Sequence, residues 1–264
     1  MTERQDGQAG RAPALIEFIC NICSVSNRCD KSLLAREQSS CVACGSSVRM
    51  RSMVHLLSIE LFGESLPIAE FPLRADVIGF GLSDWNVYAT QLSKKLNYVN
   101  TFYHTAPFLD ITRIPDNLNG VADFLIATDV FEHVLPPVSL AFEGARKLLR
   151  ADGFFVFSVP YGNTAADAIE HFPDIADFSV RKGADGVYRM HNRTRDGVDQ
   201  VHENLVFHGG PGSTLEMRVF AREELERHFL DAGFSQVRFE SEDEPRWGID
   251  WSSCACSYPI VARA

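Results

Sequence analysis

Two cysteine pairs, Cys20-Asn-Ile-Cys23 and Cys41-Val-Ala-Cys44, stand seventeen residues apart and constrain the N-terminal part of this chain more than any other feature. Each Cys-x-x-Cys turns tightly enough to offer two sulfurs to one ion, and four thiolates at about 2.3 Å close a tetrahedron. Gly45, directly after the second pair, permits the left-handed backbone such a knuckle wants. The spacing predicts a zinc ribbon over residues 15–48, with Cys20, Cys23, Cys41 and Cys44 as ligands of a structural Zn2+. Two disulfides are the competing reading, and they require an oxidising compartment. A site with four protein ligands has no open position for substrate, so its role is to fold a segment too small to fold on its own core. Of the other cysteines, Cys29 is a spare ligand candidate, and Cys254 and Cys256 read as small core residues.

The rest of the 264 residues, 45% hydrophobic and 23% charged overall, have the composition of a soluble globular protein with a real core. The apolar run Gly153–Phe157 falls far short of the ~20 residues that cross a bilayer, so no membrane span is expected. Residues 1–14 are polar and lack an apolar core of signal-peptide length; a disordered tail and a cytoplasmic location are the expectations. The net charge of −10 repels polyanions and argues against nucleic acid as a partner. Locally, Arg28, Lys31, Arg36, Arg49 and Arg51 against Asp30 and Glu37 predict a small basic face on the ribbon.

Met50, Met53, Val54, Leu57 and Leu61 follow helical spacing up to Gly63, which predicts a linking helix within residues 49–73. From residue 74 to 264 the pattern changes to strands alternating with helices, the signature of a mostly parallel sheet covered on both faces. The expected order is strand 76–80, a helix capped by Ser83 or Asp84 with Trp85, Tyr88, Ala89, Leu92 and Leu96 on its apolar face, and strand 97–103. A short strand 108–111, strand 122–128, helix 138–149 closed by the turn Asp152-Gly153, and strand 154–159 follow. A final helix carries Ala221, Leu225, Phe229 and Ala232 with Gly233 as its cap, then strand 234–240, and residues 255–262 close the sheet. The fold class is therefore α/β with a Rossmann-like sheet. Residues 161–220, rich in Gly, Asn and Asp and holding His171, His191, His202 and His208, read as a loop-rich substrate lid.

Gly79-Phe80-Gly81 ends the first strand, where absent side chains let backbone approach a ligand and helix N–H groups face an anion. A dinucleotide fingerprint needs a third glycine at position 84, which is Asp84, so a nicotinamide cofactor is disfavoured. The segment Ala122-Asp-Phe-Leu-Ile-Ala-Thr-Asp-Val-Phe-Glu-His-Val134, with Lys147-Leu-Leu-Arg-Ala-Asp-Gly-Phe-Phe-Val-Phe-Ser-Val-Pro160, resembles class I S-adenosylmethionine-dependent methyltransferases. Val219–Leu225 and Asp231–Phe234 resemble the last helix of that family, and the ribbon followed by Cys44-Gly-Ser-Ser-Val-Arg49 looks like a subgroup with a zinc ribbon ahead of the transferase domain. The resemblance implies that Gly79, Phe80 and Gly81 lie against the methionine part of S-adenosylmethionine. It places Asp110 and Ile111 at the adenine, Asn100 or Thr101 at the ribose, and Thr128 and Asp129 at the end of the fourth strand. Val77 and Ser83 depart from the family pattern, and so does the amide at 100, where a carboxylate is usual.

Methyl transfer from a sulfonium asks mainly for alignment and exclusion of water, with a base needed for a hydroxyl or protonated amine. His133, one turn beyond the fourth strand, and His202 and His208, in the insertion, are the candidate catalytic residues. Arg189, Arg193, Arg195 and Arg218 suit an anionic group on the acceptor. The leading expectation is methyl transfer to a small-molecule or glycan-like acceptor. The alternatives are a non-catalytic scaffold with a degenerate transferase fold, and an RNA methyltransferase guided by the ribbon.

Overall fold

The computed structural model describes residues 14–163, 167–252 and 257–264. Cys254 and Cys256, and residues 1–13 of the expected tail, lie outside the described residues. Strands β1 (Leu15–Ile19) and β2 (Ser26–Asp30) pair antiparallel, and the first cysteine pair sits in the turn between them. Ser24 (φ 62°) does for this knuckle what Gly45 (φ 74°) does for the second. Their N–H groups donate back to Cys20 O at 2.7 Å and Cys41 O at 2.9 Å. Helix α1 (Val48–Phe62) begins at Ser47, whose hydroxyl accepts from the Met50 N–H, and ends at Gly63 in the left-handed region. Met53, Val54 and Leu57 are buried as the periodicity requires, in one apolar cluster with Phe18, Ile22 and Leu34 of the ribbon.

Strand β3 (Arg74–Leu82), helix α2 (Asn86–Leu92), strand β4 (Leu96–Thr101), strand β5 (Ala122–Thr128), helix α3 (Ser139–Leu148) and strand β6 (Leu149–Ser158) follow. The segment after them holds β7 (Tyr161–Gly162), β8 (Ile169–Glu170), β9 (Asp177–Lys182), β10 (Tyr188–Arg193), β11 (Asp199–His202), β12 (Phe207–His208), β13 (Thr214–Leu215) and β14 (Arg218–Ala221). Helix α4 (Arg222–Asp231) and strands β15 (Gln236–Phe239) and β16 (Ile260–Arg263) complete the chain.

The main sheet has the order β15-β16-β6-β5-β3-β4. β4, β3, β5 and β6 are parallel, while β16 runs antiparallel to β6 and β15 antiparallel to β16. Both faces are buried, so β5 reads as a continuous apolar run: Phe124 and Ile126 join the ribbon, α1 and α2, and Leu125 and Ala127 join α3 and α4. Phe142 of α3 packs against Phe131, Phe157, Phe220 and Phe229, with ring centroids 5.0–6.3 Å apart. Burying such a side chain contributes ~1.5–3 kcal/mol. The chain leaves β3 outward to β4 and returns to β5 on the other side, so the strand order reverses between β3 and β5. Ligands of open α/β sheets gather at that point, beyond the carboxyl ends of the strands.

Several expectations need correction. Neither Ser83 nor Asp84 caps the second helix, which starts at Asn86 after Trp85, because Ser83 takes φ 55° and Asp84 is buried. Leu96, expected on that helix, opens β4. The short strand over 108–111 reduces to one bridge between Phe102 and Phe108, because Asp110 draws the following backbone into a turn. Asp152-Gly153 lies inside β6, which leaves α3 without an intervening turn. The last strand does not close the sheet: β16 lies between β6 and β15, and Pro259 stands just outside it. The 161–220 segment is strand-rich rather than loop-rich, with β9, β10 and β11 in an antiparallel sheet over a small core of Phe172, Ile175, Met190, Leu215 and Met217.

Candidate active site

Gly79 and Gly81, expected to end the first strand, lie within β3 and pair with β4 and β5, and the space above them is closed by the protein's own side chains. A Cβ at Gly79 would collide with the Phe124 ring, and one at Gly81 with the Tyr98 hydroxyl and the Asp84 carboxyl. Tyr98 donates to Asp84 Oδ2 at 2.5 Å. Burial pushes the Asp84 carboxyl up to about 7 against the lowering effect of Tyr98 and Tyr88. Its Oδ1 and the Tyr88 hydroxyl have no hydrogen-bond partner. Asn100 holds the backbone of Asp84 from both sides: its Oδ1 accepts from the Asp84 N–H and its Nδ2 donates to the Asp84 carbonyl, both at 2.8 Å. Thr101 Oγ1 donates to Gly81 O at 2.7 Å. Phe80 points to the opposite face, against the α3–α4 core.

Across the reversal, Thr128 ends β5 half-buried and Asp129 follows in the left-handed region, φ 53°. Two ribbon-side arginines grip its carboxylate: Arg36 at 2.7 and 3.1 Å and Arg49 at 3.3 Å, with Ser158 Oγ at 3.2 Å. Burial alone would raise the Asp129 carboxyl, but Arg49 and Arg36 outweigh it and hold it below its ordinary value. These contacts overturn the expected basic face. Arg51 is fully buried on Ser46 O, Ser40 Oγ and Gly248 O, Arg28 pairs with Glu17, and Lys31 pairs with Asp250.

The turn after β5 and the 161–220 segment build one polar cluster. His133 donates from Nδ1 to Leu215 O at 2.8 Å, and its Nε2 lies 3.1 Å from Nδ1 of His208 on β12. Glu132 Oε1 is 3.5 Å from His208 Nδ1 and 3.7 Å from His133 Nε2. Outside this triangle, Glu216 takes His208 Nε2 at 2.7 Å and His171 Nε2 at 2.8 Å. Glu132 is 0% exposed and both of its oxygens lack a hydrogen-bond partner. Burial pushes its carboxyl up to about 7, and its proximity holds the His208 imidazole above its ordinary value. Desolvation holds His133 below its own, so that ring is neutral at pH 7. Arg218, fully buried, fixes the turn by donating to Phe131 O and Val134 O at 3.0 and 2.6 Å.

The structure thus brings His133 and His208 together. His202 stays apart on β11, against the Phe172 ring and 3.5 Å from Gln200 Oε1. Asp110 lies half-buried beyond β4, where its Oδ1 accepts from the Thr112 N–H and hydroxyl at 2.9 and 2.7 Å. Ile111 is buried against α3. Arg189 is spent on Asp185 and Glu203, and Arg218 on Glu170 and the turn carbonyls, so these two do not form the expected anion site. In the ribbon, the four sulfurs lie within 4.8 Å of one another, with edges of 3.7 Å (Cys20–Cys44) and 3.6 Å (Cys23–Cys41), which suits a tetrahedral thiolate site. Cys29 lies outside that set.

Sequence reading missed Glu132, Glu216 and His171 as partners of the histidines, and Arg36 and Arg49 as partners of Asp129. Only Glu132 carried a signal, its position beside His133.

No family model matches the chain, and no curated protein matches it. Among solved structures it is similar to 1,6-didemethyltoxoflavin-N1-methyltransferase of Burkholderia thailandensis with bound 1,6-didemethyltoxoflavin and S-adenosylhomocysteine (13% identity, 81% of this chain and 77% of that one, TM-score 0.45). It is also similar to the CurJ carbon methyltransferase (14%, 83% and 55%, TM-score 0.47), of which it spans about half. A third is an S-adenosylmethionine-dependent methyltransferase of Clostridium acetobutylicum (12%, 80% and 88%, TM-score 0.41). These are likenesses of fold, and what the site can do follows from its own residues.

Proposed function

We propose that this chain transfers a methyl group from S-adenosylmethionine to a small-molecule or glycan-like acceptor whose reacting atom lies beside His133 and His208. One observation carries the reading: the strand-order reversal gathers buried carboxyl and phenol groups and half-buried imidazoles at a single edge of a parallel sheet. The polar atoms there fit the donor. Asp84 Oδ1 and the Tyr88 hydroxyl are unpartnered acceptors suited to an ammonium group, and Asp110 keeps one oxygen without a protein hydrogen bond for an adenine amino group. S-adenosylmethionine supplies, when bound, a methyl group on a cationic sulfur that leaves as a neutral thioether.

The chain's own task is alignment, which contributes ~7–11 kcal/mol where geometry is near ideal. His133 Nε2, the one ring nitrogen not given to Leu215 O, is the basic atom beside the acceptor; in the metal-free protein it can take the acceptor's proton, worth about 10²–10⁴ in rate. Of the four arginines expected to suit an anionic acceptor, Arg189 and Arg218 are committed to carboxylates of the protein itself. In the ribbon, Cys20, Cys23, Cys41 and Cys44 hold a structural Zn2+. The ribbon and the first turn of α1 reach the site through Arg36 and Arg49, which meet on Asp129.

The test is transfer of a labelled methyl group from S-adenosylmethionine to a panel of hydroxyl, amine and carbohydrate acceptors. Wild-type turnover that falls ~10²–10⁴-fold in His133→Ala supports the reading. A folded protein that binds the donor and methylates nothing favours the scaffold alternative, for which the clamping of Asn100 onto Asp84 is the specific observation.

A further inference from the structure

Glu132 presents a physical problem that the methyl-transfer reading does not solve. A carboxyl group with no exposure and no hydrogen-bond partner is costly in a protein interior, and it persists where something compensates it. Its neighbours are two imidazoles whose outer nitrogens are already used. His133 Nδ1 faces a carbonyl, which can only accept, so that nitrogen carries the proton and Nε2 presents a lone pair. His208 Nε2 faces the Glu216 carboxylate, so that nitrogen carries a proton, and in the neutral ring that a metal ion would bind Nδ1 presents a lone pair. Two lone pairs therefore point at each other across 3.1 Å, with a carboxylate oxygen 3.5 and 3.7 Å away. With both rings neutral and the carboxyl ionised, three acceptors converge with no donor among them, and a proton or a metal cation is what can relieve them.

We propose that Glu132, His133 and His208 bind one divalent first-row transition-metal ion, separate from the four-cysteine site. A point equidistant from the three atoms lies about 2.0 Å from each, the bond length of such ions to imidazole nitrogen and carboxylate oxygen. Two nitrogens and one oxygen suit zinc, iron, cobalt or manganese rather than calcium or magnesium. Leu215 O and Glu216 are the outer partners that orient ligand histidines in metal sites. Three protein ligands leave coordination positions open for an oxygen donor, either water or a hydroxyl of the acceptor. Only this assignment of the acceptor rests on the methyl-transfer reading. Because two ligands come from the turn after β5 and the third from β12, the ion also ties the 161–220 segment to the sheet.

The experiment is titration of the full-length, zinc-loaded protein with Mn2+, followed by loss of the free-ion paramagnetic signal, and with Co2+, followed by its visible absorption. The proposal expects one additional ion per chain, with a cobalt spectrum free of sulfur-to-metal charge transfer. Affinity should fall at least tenfold in His208→Ala and Glu132→Gln, and ~10–100-fold in Glu216→Gln, which removes an orienting partner but no ligand. Circular dichroism checks the fold of each variant; if His208→Ala does not fold, the near-isosteric Glu132→Gln decides alone. Wild-type protein that takes up no ion beyond the ribbon's, or binding that Glu132→Gln leaves unchanged, overturns it. Neither readout depends on turnover.

Discussion

Asp84 and Glu132 are both buried carboxyl groups beyond the ends of neighbouring strands, and burial pushes both up to about 7, yet they are surrounded in opposite ways. Asp84 meets a phenol that donates to it at 2.5 Å, and Asn100 grips its backbone. Glu132 meets the inner nitrogens of two imidazoles, neither of which comes within hydrogen-bond reach of it in good geometry. The first carboxyl completes a packed turn and holds the loop after β3 in place. The second is left needing a cation or a proton. Equal burial thus marks one carboxyl that is half satisfied by the protein, with Oδ1 left over, and one that is satisfied by nothing in it, and the difference lies in what the neighbours can donate.

The strongest way to break this comparison is to disturb the residue between the two. Asp129→Ala leaves Arg36 and Arg49 with only the exposed Glu37 as an anion, and loss of a partner from a buried pair costs up to about 3–5 kcal/mol. Urea denaturation should show that drop; a loss below about 1 kcal/mol would mean that the ribbon is not held through this contact. Asp84→Asn addresses the packed carboxyl next. Its folded value of about 7 lies above the ordinary 3.8, so its stabilisation is fully present below about pH 4 and is lost as pH rises through 7. The variant should flatten that decline, by on the order of a few kcal/mol, in unfolding experiments run across the range. A slope identical to the wild type's would show that Asp84 is not the protonated group.

Gly81→Ala tests the same turn from the other side. Its methyl would collide with Tyr98 and Asp84, at a cost of ~1–3 kcal/mol, and Gly81→Ala combined with Tyr98→Phe should recover part of it. Strict additivity in that double-mutant cycle would place the strain elsewhere. The smallest effect has the opposite sign. Glu132→Gln removes a buried, unpartnered carboxyl and should raise the stability of the metal-free protein by about 1–2 kcal/mol, read as a higher melting temperature.

The sheet was legible because its signals are local and repeated. β5 matched its expected span, 122–128, since both faces are buried and the apolar run is unbroken. α1 ended at Gly63 as its left-handed cap required. The second helix was misplaced because Asp84 looks like a cap in sequence and is instead drawn into the core by Tyr98. At the site, the histidine beside Glu132 could be read, but its partners could not. His208 and Glu216 stand 75 and 84 positions beyond His133 and Glu132, and only the pairing of β12 with β13 and the contact of Leu215 with His133 bring them in. The roles of Arg36 and Arg49 were hidden for the same reason: a surface charge and a buried clamp have the same sequence.

The central claim is that the strand-order reversal holds S-adenosylmethionine, and calorimetric titration of the zinc-loaded protein with S-adenosylmethionine and S-adenosylhomocysteine tests it most directly. The account predicts saturable binding of both at one site per chain, weakened at least tenfold in Asp110→Ala while the fold is kept. A folded wild-type protein that binds neither ligand would contradict it.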